Sequence, residues 1–190
     1  MLADNALTTL DRMKLMLGLA EIEDERTDEI ITLLINRASS WIERQIGRHL
    51  GRHSYHQWYD ADGQQELVLL EYPIISVEYV KQEGKIVDPE TYDYAQTGEI
   101  GAYDIVAPMR VIEVSYTAGY VLPKDATADD PQTLPSDLEG LLWDMVSQIY
   151  TNLQNGSQGL SSFSISDVTW NFDKSIPESW KQLINLYRRY

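Results

Sequence analysis

D-E-R-T-D-E-I-I-T-L-L-I-N-R-A-S-S-W-I-E-R-Q-I-G, residues 24–47, decides how this chain folds. Ile31, Leu34, Ile35, Ala38, Trp41, Ile42 and Ile46 recur at helical spacing until Gly47 stops them. A helix of that length is a rod of roughly 35 Å, about as long as a small domain is wide. None of its residues has an evident chemical task, which suits a part of an assembly better than the wall of a catalytic pocket. The preceding stretch, Leu7 to Gly18, predicts a shorter helix. Thr8 stands three positions before Asp11, an acidic variant of the capping box, although Thr9 also fits the cap. Leu10, Met13 and Leu17 share a face, and Gly18 followed by Leu19 matches a glycine C-cap with its apolar contact.

Downstream of the helix pair the period changes from helical to strand-like. Residues 55–59, 66–70, 74–80, 85–87, 91–94 and 110–116 are rich in Val, Ile and Tyr and are separated by turn signals. Asp62-Gly63, Glu83-Gly84 and Thr97-Gly98 mark the turns. Ile112, Val114 and Tyr116 alternate with Glu113 and Ser115, as in a half-buried antiparallel strand. Residues 122–134 form an acidic loop with Pro123 and Pro131, long enough for mobility or for an interaction surface. A third helix begins near Pro135, with Ser136 and Glu139 in capping-box spacing and Leu138, Leu142, Met145, Ile149 and Leu153 as its buried stripe. Residues 155–159 connect to an extended segment, 162–172, in which Val168, Trp170 and Phe172 alternate. A last helix starts near Pro177, with Ser175 and Glu178 spaced as a capping box and Trp180, Leu183, Tyr187 and Tyr190 along one side.

The expected fold is therefore α+β: a helical bundle core of about four helices, with an inserted small antiparallel β-sheet region and an extended C-terminal segment. We expect a single domain over residues 1–190. Within it, 1–54 holds the helix pair, 55–120 the inserted β region and 121–134 the acidic loop. Residues 135–155 form the core helix, and 156–190 the extended segment and closing helix.

Composition removes several classes of function. The chain has no cysteine, so it has no disulfide, thiolate metal site or cysteine nucleophile. No apolar run approaches the length of a membrane span, and the start M-L-A-D-N lacks the basic and apolar regions of a signal peptide; the expected setting is intracellular, or a particle assembled inside a cell. Thirty acidic residues against 15 basic ones leave a formal charge of −15. The excess is concentrated in residues 61–140, which carry 16 acidic and 4 basic side chains. Such a surface repels phosphates, so ordinary DNA binding is not expected. It reads either as a solvated face that keeps the protein soluble or as a surface that DNA passes without sticking.

Few residues suggest chemistry. His49, His53 and His56 cluster, but Gly47 and Gly51 argue against the helix that would align two of them, and no H-E-x-x-H is present. Arg44, Arg48 and Arg52 alongside would oppose a bound cation. A basic turn that pairs with acidic neighbours is the better account. Neither G-x-S-x-G nor S-x-x-K occurs, and there is no phosphate-binding glycine loop; Gly98 and Gly101 read as turn residues. The pair Asp129-Asp130 reads as solvated rather than as an acid and base. No catalytic residue, cofactor site or metal site is assigned, and the chain is not expected to be an enzyme.

Twelve tyrosines and five tryptophans instead point to contact surfaces, because these rings combine a large apolar body with a polar tip. Trp41 reads as core. Trp58, Tyr59, Trp170 and the closing Tyr187-Arg188-Arg189-Tyr190 lie at element ends or in extended segments and read as interface candidates, against the alternative of a tyrosine-rich sheet core.

Five segments, in order, resemble the head–tail connector (adaptor) proteins of tailed phages. They are L-T-T-L-D-R-M-K-L-M-L-G-L (7–19), D-E-I-I-T-L-L-I-N-R-A-S-S-W-I-E-R-Q-I-G-R (28–48), L-V-L-L-E-Y-P-I-I-S-V (67–77), V-I-E-V-S-Y-T-A-G-Y (111–120) and S-I-S-D-V-T-W-N-F (164–172). With their connecting helices they cover well over half the chain. The resemblance implies a non-enzymatic virion subunit at the head–tail junction, assembled in the host cytoplasm, in a ring that is commonly twelvefold. Its implied partners are further copies of itself, the portal protein, and a downstream connector, stopper or tail protein. Double-stranded DNA passes through without specific binding, and no membrane is involved. The resemblance also implies a portal-facing part near the C-terminus, so the candidate partner-binding residues are Ile165, Val168, Trp170, Phe172, Trp180, Tyr187, Arg188, Arg189 and Tyr190. Strand addition is one mode by which the extended part would dock. The sheet region between Tyr55 and Tyr120 departs from the smallest members of that family. Another neck or tail-completion protein is the nearest alternative. An acidic DNA mimic that inhibits a DNA-binding enzyme, and a metal hydrolase built on His49–His56, are the competitors from other classes.

Overall fold

The computed structural model describes residues 1–61, 66–102, 110–156 and 176–188. The chain divides into two compact units, one made of residues 1–47 and 122–190, the other of residues 48–121. The first is helical: α1 (Leu10–Met16), α2 (Glu25–Ile46), α3 (Ser136–Gly156) and α4 (Glu178–Tyr187). The second holds the strands β1 (His53–Ala61), β2 (Glu66–Val68), β3 (Ile74–Gln82), β4 (Lys85–Ile86), β5 (Tyr92–Tyr94), β6 (Glu99–Ala102) and β7 (Arg110–Ala118). The expected α+β mixture of helices and antiparallel sheet is what the chain adopts.

In the helical unit α2 is the axis. Asp24 caps it by accepting the backbone N–H of Thr27, and Gly47 ends it at φ +86°, where a side chain would be strained. Every apolar residue of the stripe read from the sequence, Ile31 through Ile46, is buried. α3 answers with Leu138, Leu142, Met145 and Ile149, joined by Leu141 and Val146, and α4 contributes Ile184. Burying a large aliphatic side chain of this kind stabilises by about 1.5–3 kcal/mol, so this seam contributes substantially to the unit's cohesion. α1 adds Met13, and its C-terminus is a full Schellman turn. Gly18 N–H bonds the Leu15 carbonyl at 3.1 Å, and Leu19 N–H bonds the Lys14 carbonyl at 2.8 Å.

The first residues lie along α2, because that helix presents polar groups at intervals of one or two turns. Asn36 Oδ1 accepts from Ala3 N–H at 2.8 Å, Ser39 Oγ from Leu7 N–H at 3.1 Å, and Glu43 Oε2 from Asn5 Nδ2 at 2.7 Å. This anchoring was not legible in the sequence, where Asn36, Ser39 and Glu43 look like an ordinary wet face.

At α1 the cap is the second of the two residues that fit it in the sequence, and at α3 the expected capping box does not form. Thr9, not Thr8, caps α1 by accepting Arg12 N–H at 3.3 Å. Thr8 is buried and donates instead to Glu139 Oε1 at 2.7 Å, so Glu139 serves a tertiary contact rather than the start of α3. α4 begins at Pro177 with no side-chain cap, and Ser175 lies outside the described residues.

The strand unit contains two antiparallel sheets where one was expected. Their orders are β1-β7-β3-β4 and β2-β6-β5. The second arises because Glu99–Ala102 is a strand: Gly98 is a turn residue at φ +102°, but Gly101 pairs with Glu66 on one side and Asp93 on the other. The two sheets share one core, with Leu67, Leu69, Tyr92 and Ile100 meeting Ile74, Val80, Ile112, Val114, Tyr116 and Ala118. As the alternation in β7 foretold, Ile112, Val114 and Tyr116 point inward and Glu113 and Ser115 do not. The two ends of this unit are tied together. Tyr120 N–H bonds the Leu50 carbonyl at 2.8 Å, and Arg52 N–H bonds the Tyr120 carbonyl at 3.0 Å, forming a parallel bridge between Gly51 and Tyr120.

Candidate functional site

The aromatic and charged residues singled out in the sequence separate into three groups. In α4, Trp180 and Tyr187 are half-buried and share a side with Leu183 and the buried Ile184. Tyr187 Oη donates to both carboxylate oxygens of Asp137, at 2.7 and 2.9 Å. Arg188 Nε and Nη2 donate to the Gln45 carbonyl, Nε at 3.0 Å, placing a cation at the C-terminus of α2. Tyr187 and Arg188 thus hold α4 to the helical bundle, while Leu186 on the opposite side is 78% exposed. Ile165, Val168, Trp170, Phe172, Arg189 and Tyr190 lie outside the described residues, as does the 162–172 segment.

The histidines do not converge. The His49 and His53 rings stand 6.1 Å apart edge to face, whereas His56 lies on the outward face of the sheet and bonds Glu113. Among the described residues no trio of His, Cys, Asp or Glu is placed to hold a metal ion. Asp130 belongs to a local turn, in which Thr127 N–H bonds its carbonyl and the Thr127 hydroxyl accepts its N–H.

The third group is a polar and aromatic array on the outward face of β1-β7-β3. Strand alternation turns Tyr55, Gln57 and Tyr59 inward and Ser54, His56, Trp58 and Asp60 outward. Tyr59 is consequently a core residue: its hydroxyl lies 3.2 Å from that of Tyr116, both donate to Gln57 Oε1, and Tyr55 stacks on Tyr116 at 5.4 Å. Burial, followed by the bond with Tyr59, pushes the Tyr116 phenol above its ordinary range. Outward, Glu113 Oε1 accepts from Lys81 Nζ, Tyr79 Oη and His56 Nε2, each at 2.8 Å. Those bonds, led by Lys81, hold its carboxyl down at about 2, and the same pairing raises the Lys81 ammonium. At the irregularity between Val77 and Tyr79, Glu78 collects the hydroxyls of Thr117 and Ser76 at 3.0 Å. Trp58, directly opposite Glu113, is 61% exposed, with the His56 ring 4.5 Å away.

A second charged hub, missed in the sequence, lies inside the helical unit. Glu139 is 3% exposed and accepts from Thr8, from Arg12 Nη1 at 3.0 Å and from Gln132 Nε2 at 3.1 Å, while Trp143 Nε1 donates to Thr8 Oγ1 at 3.0 Å. Thr8 and Arg12 lie 131 and 127 positions away in the chain and Gln132 seven positions before it, so no helical or strand spacing announces it. Both hubs collect donors from side chains of this chain, Glu113 through Oε1 and Glu139 through both oxygens. What the described surface offers is contact area. In addition, no described helix is long and apolar enough to cross a membrane.

A family model described as head completion protein matches residues 6–190. Among solved structures, a chain in the neck of the empty gene transfer agent particle, computed with C6 symmetry, is 15% identical with a TM-score of 0.59. A chain in the virion of the native particle gives the same values, and one in the native neck computed with C12 symmetry is 16% identical with a TM-score of 0.55. In each case the match covers 100% of this chain and 93% of the other. At such identities the likeness is one of fold. No curated protein matches the sequence.

Proposed function

Because this chain belongs to the head completion protein family, we propose that it is a structural subunit of the head–tail neck of a phage-like particle. In this reading it forms a ring, twelvefold in the virion, that joins the portal to the next connector, stopper or tail protein and surrounds the DNA channel. It assembles in the host cytoplasm and works by contact, without catalysis or cofactor. The family match over residues 6–190 is the observation that carries the reading. The likeness of fold to neck chains, one computed with C12 symmetry, supports the ring.

The charge gives the ring a physical role. Twelve copies would place about −180 formal charges around the channel, reduced by counterions. Part of that surface facing the lumen would keep the DNA from adhering. A ring whose narrowest lining is mainly Lys and Arg would refute this.

Portal attachment is assigned to 164–172 together with the last helix, through Ile165, Val168, Trp170, Phe172, Trp180, Tyr187, Arg188, Arg189 and Tyr190. The bonds of Tyr187 to Asp137 and of Arg188 to Gln45 give those two a positioning role as well, and leave Trp180 as the half-exposed contact residue of α4. Substituting Ile165, Val168, Trp170 and Phe172 together by Ser, with α4 intact, is expected to abolish portal binding while the helical unit stays folded. The decisive measurement is the mass of the purified chain alone and after mixing with purified portal. Rings, or a monomer that enters a portal complex, support the reading. A monomer that ignores portal overturns it and favours an acidic inhibitor.

A further inference from the structure

We propose that the outward face of β1 around Trp58 docks a cationic segment of another neck protein, which lays an arginine or lysine side chain on the indole. This proposal rests on the neck reading above and adds the place and the chemistry of one heterologous contact.

Several observations converge on Trp58. An indole left 61% exposed at mid-strand forgoes much of the burial that such a large ring gains elsewhere. Its orientation is fixed on one side by the His56 ring at 4.5 Å, and His56 is itself held by Glu113 at 2.8 Å. On the other side, two residues along the same face, stands the exposed Asp60. Glu113, directly across on β7, is already engaged by Lys81, Tyr79 and His56. Among the described residues β1 is the edge of its sheet, and no further strand of that sheet flanks the indole. The result is a braced aromatic plate with a carboxylate beside it, the arrangement in which a guanidinium gains both cation–π attraction and an ion pair.

Charge selects the occupant. Residues 48–121 carry 12 acidic and 5 basic side chains, and the whole chain is at −15. A second copy brought to this face would add like charge to like, and DNA would be repelled more strongly still. A basic protein segment is attracted by the field and fits the plate. This contact differs from the portal attachment assigned to residues 164–190.

The test uses the full chain with two purified probes, the portal protein and the downstream neck protein of the same particle, measured by calorimetry at low and high salt. Trp58→Ala is expected to weaken binding to one of them by about 10- to 100-fold, with Trp58→Phe retaining most of it. Asp60→Asn is expected to weaken the same interaction several-fold, and the wild-type affinity to fall with salt. Trp58 is exposed, so circular dichroism of Trp58→Ala should match wild type. If the wild-type chain binds a neck protein and Trp58→Ala binds it equally well, the proposal is overturned and the neck reading stands. If Trp58→Ala impairs only self-association, the face belongs to a second copy, and the proposal is again overturned. If the wild-type chain neither assembles nor binds either probe, the neck reading falls and takes this proposal with it.

Discussion

Gly119→Ala is expected to be the most damaging single-methyl addition in the strand unit. Gly119 sits at φ +108°, and a Cβ there would lie 2.3 Å from the Gly51 carbonyl oxygen, 2.7 Å from its carbon and 2.9 Å from Arg52 Cα. The neighbours are all backbone, so no side chain can swing aside. Holding an L-residue at such a φ costs about 1–3 kcal/mol. Restoring ordinary contact requires the Gly51–Arg52 backbone to withdraw by more than ~1 Å, which breaks the Tyr120–Leu50 and Arg52–Tyr120 bonds at about 1 kcal/mol net each. The expected loss is therefore about 3–5 kcal/mol in urea unfolding. Gly101→Ala is the control, because nothing lies within 4 Å of its Cβ. It should be neutral or stabilise by up to about 1 kcal/mol. Native-state hydrogen exchange locates the effect, with lost protection expected at the Tyr120 and Arg52 amides. Stability within about 1 kcal/mol of wild type, with those amides still protected, would refute the reasoning.

Glu139→Ala strands the buried Thr8 hydroxyl and removes the acceptor shared by Arg12 and Gln132, so a loss of about 2–4 kcal/mol is expected. Thermal unfolding of Glu139→Ala, Thr8→Val and the pair should be strongly non-additive, and simple additivity would contradict a shared hub. The Glu113 carboxyl is depressed from 4.5 to about 2. Its contribution to stability is thus complete above 4.5 and is lost as the pH falls toward 2. Carbon chemical shifts of the side chain should titrate near the lower value, and a midpoint near 4.5 would show that the three donors are not held in place. Tyr187→Phe, which removes the bond to Asp137, should cost about 1 kcal/mol and raise amide exchange in α4 with little change in α2. Unchanged α4 protection would count against that anchor.

Legibility followed the range of the interaction. The stripe of α2 and the alternation of β7 were readable because burial by helical or strand period is written along one element, and Ile31 to Ile46 and Ile112 to Tyr116 are where the pattern put them. The resemblance to head–tail connectors, carried by ordered segments, agrees with the family match across residues 6–190. Gly101 was misread because a glycine three residues past a true turn looks like a second turn, and only its pairing with Glu66 and Asp93 makes it strand. Thr8 and Glu139 each carry a capping pattern, but a side chain able to cap can equally bond across the fold, and here the buried tertiary partner prevailed. The same limit applies to the candidate site. Parity along β1 separates outward Trp58 from inward Tyr59, yet the sequence placed both as element-end rings. The donors of Glu113 come from β1 and β3, which no spacing in the chain relates.

The bridge between Gly51 and Tyr120 also bears on how the chain reaches its fold. The two helices that share the main seam, α2 and α3, are separated in the chain by all of residues 48–121. Closing a flexible loop of ~90 residues costs about 1.3 kcal/mol more than closing one of ~20. Once the strand unit has joined its own ends, that difference is removed, because only the residues outside the Gly51–Tyr120 bridge remain to be closed between α2 and α3. During synthesis the strand unit leaves the ribosome before α3 does, so the order of translation matches the order that lowers the entropic barrier. On this account Gly119 governs the rate at which the helical unit forms as well as the stability of its own strand unit.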